Sequence, residues 1–219
     1  MKTQKILFSA TLCLYLCTGA FAQQAANPDS KALSTELASY LNRQGDFCLG
    51  KFEWPIDVTE SDARVGTRDA VQMPVLEKIG LVASSKGTVM RKVDETETPV
   101  PVVRYALTDA GKAFYLEKEA PASDAGAAPV RRHDLCAGRL SLDKVVSWTA
   151  PVVQGDHGEL TATYTYHFAA VKWAMNPDVQ RVFPVLARVI RGDGTLQQTQ
   201  LFQLRDGKWV AVNLAEAVR

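Results

Sequence analysis

Past its first 22 residues the chain has no long apolar run, only two cysteines, and no excess of either charge. Each absence removes a class of protein. A membrane-spanning helix needs roughly 20 apolar residues in succession, so no stable membrane span is expected. Lysine and arginine number 25 against 24 aspartates and glutamates, which leaves no basic footprint for nucleic acid or an anionic bilayer. The sequence also lacks a Gly-x-Ser-x-Gly elbow, a His-Glu-x-x-His pair, a Ser-x-x-Lys with a partner set and a glycine-rich phosphate loop. These gaps weigh against an enzyme, yet a site assembled in space from distant residues stays open. No cofactor and no metal are expected.

What is present begins with a leader. Met1, Lys2 and Lys5 give a basic start, Ile6 to Cys17 is mostly apolar, and Ala20-Phe21-Ala22 puts small residues at cleavage positions. Residues 1–22 therefore read as an export signal, with the mature chain starting near Gln23. A membrane anchor is the competing reading, but the apolar run is too short and polar residues follow at once. A lipidated start at Cys17 would want small residues before it, where Tyr15 and Leu16 stand. Export implies a periplasmic or secreted protein, slightly acidic once Lys2 and Lys5 are gone.

Removing the leader takes Cys13 and Cys17 with it and leaves Cys48 and Cys136 in an oxidising compartment. One bridge is possible between them, and the alternative is two buried thiols. Their surroundings echo each other: Asp46-Phe-Cys-Leu-Gly-Lys51 and Asp134-Leu-Cys-Ala-Gly-Arg139. An internal duplication would need more than this core, and the flanks match poorly. Two strands of similar edge chemistry meeting across a disulfide is the plainer account. In a strand each Cys would share a face with the Gly two residues on, leaving room beside the sulfurs.

Residues 119–131, rich in alanine and proline, read as a linker between two halves. In the first, 29–118, Asp29 or Ser30 caps a helix carrying Leu33, Leu37, Tyr40 and Leu41 on one face, and Gly45 ends it. A second helical stretch, interrupted by Pro74, stops at Gly80. Two extended segments joined by an acidic turn at Asp94, Glu95 and Glu97 follow, then a helix capped by Thr108 or Asp109.

The order of a helix ending in Gly80-Leu81-Val82, a hairpin, and then Leu107-Thr108-Asp109-Ala110-Gly111 resembles the winged-helix fold of bacterial transcription regulators over residues 68–118. The resemblance implies that architecture for the first half. It does not extend to DNA binding, because the acidic hairpin tip opposes phosphates and an exported chain meets no chromosome.

The second half, 132–219, alternates as β-strands do. Leu160, Ala162, Tyr164, Tyr166 and Phe168 fall on one face and Thr161, Thr163, Thr165 and His167 on the other. Residues 186–214 predict three more strands around Asp193-Gly194 and Asp206-Gly207. Asn176 caps a short helix begun by Pro177. The whole predicts an α+β protein: a winged-helix-like half and an antiparallel β-meander with a packed helix.

Among candidate site residues, His133, His157 and His167 each lack a set of partner ligands or bases in sequence. Trp54, before Pro55 in a connection, and Trp173, where a strand gives way to a helix, are candidate binding-surface residues, with core packing the alternative for each. The expectation is a non-enzymatic envelope protein that recognises a protein or cell-wall component. The alternative is a hydrolase or other enzyme with a site in the cleft between the halves. That alternative expects His167, Glu159 and Asp178 to converge in one pocket.

Overall fold

The computed structural model describes residues 28–93, 96–120, 130–154 and 157–212. The expected export signal, the turn residues Asp94 and Glu95 and the middle of the expected linker lie outside the described residues.

Helix α1, Ser30–Gln44, forms where its signals predict. The Asp29 carboxylate accepts from the Lys31 N–H, Gly45 N–H closes the last turn on Leu41, and Leu33, Leu37 and Leu41 are buried. The chain then enters β1, Asp46–Cys48, which pairs not with its own half but with β6, Val130–Trp148. After β2, Ile56–Thr59, comes a short helix α2, Glu60–Val65, opened by a capping box between Thr59 and Asp62. Helix α3, Arg68–Lys78, continues through Pro74. The expected interruption does not occur, since Pro74 costs the helix a single N–H bond while Met73 and Leu76 remain fully buried on either side.

Strands β3, Val82–Val93, and β4, Thr96–Leu107, form a twelve-residue hairpin without register shifts. With β2 they make a three-stranded antiparallel sheet in the order β2-β4-β3. One turn of helix, α4, Asp109–Lys112, is capped by Thr108 and leads into β5, Tyr115–Ala120. Strand β5 pairs with the start of β6, so both ends of the stretch read as a linker are strand. Alanine and proline content alone does not reveal a ladder that charged neighbours such as Glu117 and Arg131 help to hold.

The larger sheet is antiparallel and runs β1-β6-β8-β9-β10, with β5 also on β6 and β7 on β8. Here β7 is Val152–Gln154, β8 is His157–Ala170, β9 is Gln197–Arg205 and β10 is Lys208–Val212. Between β8 and β9 the chain makes a 3₁₀ turn at Lys172–Met175, then α5, Pro177–Val182, and α6, Pro184–Arg191. Helix α6 replaces one of the three strands expected after residue 186. Its Val and Ile residues suggested a strand, but Pro184 starts a helix and buried Leu186 and Ala187 share its inner face with half-buried Val189 and Ile190. The protein is thus a mixed α and β chain built on antiparallel sheets.

One apolar core joins both halves: Leu33, Leu37 and Met73 from the first meet Leu135, Tyr166 and Phe202 from the second. The disulfide ties the same two halves, Cys136 buried and Cys48 half-buried. Cys48 and Cys136 are register partners across β1 and β6, bonded, with Cα atoms 3.8 Å apart.

Candidate functional site

The segment after the disulfide builds the most distinctive polar site. Gly50 turns with φ +72°, a left-handed conformation suited to glycine, and so lies outside the strand rather than beside the sulfurs. Asp134 on β6 receives this turn: its carboxylate accepts from Gly50 N–H at 3.1 Å and from Lys51 N–H at 2.7 Å. Asp134 is almost fully buried, and burial pushes its carboxyl above the ordinary value, against the pull of those N–H groups and of Lys51. The Lys51 side chain is buried as well and carries its ammonium to Asp69 in the first turn of α3.

Above this network lies a groove of about 550 Å³ walled by the turn at residues 50–53, the start of α3, Tyr115 of β5 and residues 131–133 of β6. Tyr115 donates to the Phe52 carbonyl, and its ring lies 5.1 Å from that of His133 at a tilt of 31°. Burial, with Asp134 and Glu53 nearby, pushes the Tyr115 phenol upward, so it remains a donor at neutral pH. Phe52 is 47% exposed at the rim. Arg131 is paired with Glu117, but Arg68 and Arg132 have no ion-pair partner among the described residues. The lysine at the floor is neutralised and the guanidinium groups at the wall are open. Such a groove suits a carboxylate or phosphate held by the planar fork of an arginine, beside an apolar ring face.

The candidate residues read from sequence fall elsewhere, except His133, which lines the groove. Trp54 and Trp173 are half-buried against the core, each with an indole N–H that is buried and unpaired among the described residues. Trp173 meets Phe114 edge-on at 5.9 Å. His167 sits between Asp193 at 3.0 Å and Asp143 at 3.4 Å. Asp178 is held by Lys78 at 2.7 Å and Arg181 at 2.6 Å, and Glu159 accepts from Gln203. These three do not converge, and none lines the groove. His157 opens β8. Among the described residues no cluster of His, Cys, Asp and Glu has the arrangement to hold a metal ion.

Compared with known proteins, the chain matches no family model, no curated protein and no solved structure.

Proposed function

We propose that this is an exported protein of the bacterial envelope whose role is recognition rather than catalysis, and that the groove takes an anionic cell-wall component. The carrying observation is the pair of unpartnered arginines, Arg68 and Arg132, on a groove that also offers Phe52 and the Tyr115–His133 stack. The groove's volume is that of a small-ligand site, which favours a wall fragment over the face of a folded protein. A sugar ring would lie against the aromatic surface while its attached carboxylates meet the guanidinium groups. A disulfide supports an oxidising compartment, and among the described residues no helix is long and apolar enough to cross a membrane.

Calorimetric titration of the purified protein with soluble disaccharide-peptide fragments of peptidoglycan tests this. Binding should weaken with salt and fall at least about tenfold in the Arg68→Ala/Arg132→Ala variant. Equal binding by both proteins, or none by either, overturns the reading.

The first half is, in our reading, a winged helix adapted away from DNA. The order α1-β2-α2-α3-β3-β4 and the sheet order β2-β4-β3 support it. Helix α3, in the place of a recognition helix, is covered by α5: Gln72 donates to the Val182 carbonyl at 3.0 Å and Lys78 pairs with Asp178. A helix so covered cannot enter a groove of DNA. Salt-sensitive binding to duplex DNA in a gel-shift assay would contradict this account.

A further inference from the structure

We propose that the outer edge of β3 binds an extended, acidic segment of a partner protein by strand addition. This surface is separate from the groove. No strand among the described residues pairs with the outer edge of β3, whose ladder with β4 is regular over all twelve pairs. Met90 is paired with Pro99 and Thr88 with Pro101. Proline has no N–H, so these cannot be the pairs that exchange two hydrogen bonds, and the alternate pairs must be. The N–H and C=O groups of Lys86, Thr88, Met90 and Lys92 therefore point outward. An independent contact fixes the same phase: the Ser84 N–H, two residues before Lys86, is accepted by the Glu77 side chain at 2.8 Å instead of by β4.

The hairpin's two edges are treated differently. On β4 the positions facing away from β3 where β2 no longer covers them are Pro101, Pro99 and Glu97, and the two prolines close that edge to further pairing. On β3 Glu77 occupies the outward N–H of Ser84, and the positions beyond it are open, without a proline or a bulge. Met90 is 58% exposed beside them.

Charge selects the occupant. Strand β3 carries Lys86, Arg91 and Lys92 and no acid, and Glu97 stands across from Lys92. A second copy paired about Val89, the middle of the open stretch, would set Lys86 of one copy against Lys92 of the other, and like charges directly opposite are unfavourable. An acidic strand satisfies both the backbone and the charges.

The test uses the purified protein and two labelled octapeptides, one alternating glutamate with valine and one alternating lysine with valine. Fluorescence anisotropy should show the glutamate peptide binding at least about tenfold tighter. On its addition the amides of Lys86, Thr88 and Met90 should slow in hydrogen exchange, while those of Gly87, Val89 and Arg91 are slow throughout. Thr88→Pro removes an outward N–H without breaking the β3–β4 ladder, so it should weaken binding at least about tenfold and leave the fold intact. If that variant misfolds, Lys86→Glu/Lys92→Glu must reverse the preference between the peptides. Equal binding of the two peptides overturns the proposal. So does loss of binding in Arg68→Ala/Arg132→Ala, which would place the peptide in the groove, or a dimer that Thr88→Pro dissolves, which would make the occupant a second copy.

Discussion

At the scale of residues, the echo around the two cysteines is a self-complementary sentence. Antiparallel pairing about the Cys48–Cys136 bridge sets the acid that begins each copy against the base that ends the other. Asp46 pairs with Arg139 at 3.0 Å, and Asp134 accepts the Lys51 N–H. Lys118 adds a second cation to Asp46. The glycines of the two copies have parted roles. Gly50 makes the turn toward the groove, whereas Gly138 leaves space for a ring: a Cβ there would stand 2.5 Å from Phe168 Cζ and 2.6 Å from the Ala169 carbonyl oxygen. Phe168 is also packed edge-on against Phe47 at 5.8 Å, so it has little room to retreat. Gly138→Ala should therefore destabilise the protein by about 1–3 kcal/mol, as overpacking does. Chemical denaturation measures it, and a variant as stable as the parent would mean that the Phe168 ring and the β8 backbone yield freely.

Elements differ in how much of their cause is local. Across β2 and β4 the cause is a single pair, Arg104 forked on Asp57 at 2.7 and 2.8 Å. The guanidinium, through its hydrogen bonds first, holds the Asp57 carboxyl below the usual carboxylate range despite partial burial. A depressed folded pKa means that the pair's contribution is present at neutral pH and is lost as pH falls through that depressed value. Asp57→Asn should thus lower the melting temperature at pH 7 by a small amount, the pair being partly exposed, and the difference should shrink as the pH falls below the ordinary carboxylate range and vanish once Asp57 is protonated in the folded protein. A difference that persists in acid would assign the effect to packing. Helices α1 and α5 were legible because Asp29 and Asn176 carry their caps in the sequence. The Thr59–Asp62 box of α2 is equally local, a Thr and an acid three residues apart that cap each other's backbone. Helix α6 misled because its β-branched residues favour strands until tertiary burial decides. The groove was not legible at all, since four segments spread from Gly50 to His133 meet only after β5 and β1 have both docked on β6.

For the whole molecule the decisive fact is that β1 crosses over. A bridge between two halves joined by a loose connection would act as a hinge pin, and opening it would let the halves move apart. Here β1 is hydrogen-bonded into the larger sheet, Gly45 accepts from Leu140 N–H at 2.7 Å, and α1 contributes Leu33 and Leu37 to the common core. The bridge braces a joint that other bonds already hold. Its partners are 88 residues apart, and closing a loop of that length is worth roughly 4–5 kcal/mol in the chain-entropy account. Cys48→Ser and Cys136→Ser should each lower stability on that scale. Because the core is continuous, the loss should appear as one calorimetric transition moved to lower temperature, with the far-ultraviolet spectrum of the folded state preserved. Two separated transitions in the Cys48→Ser protein would show instead that the halves fold independently and that the disulfide alone couples them.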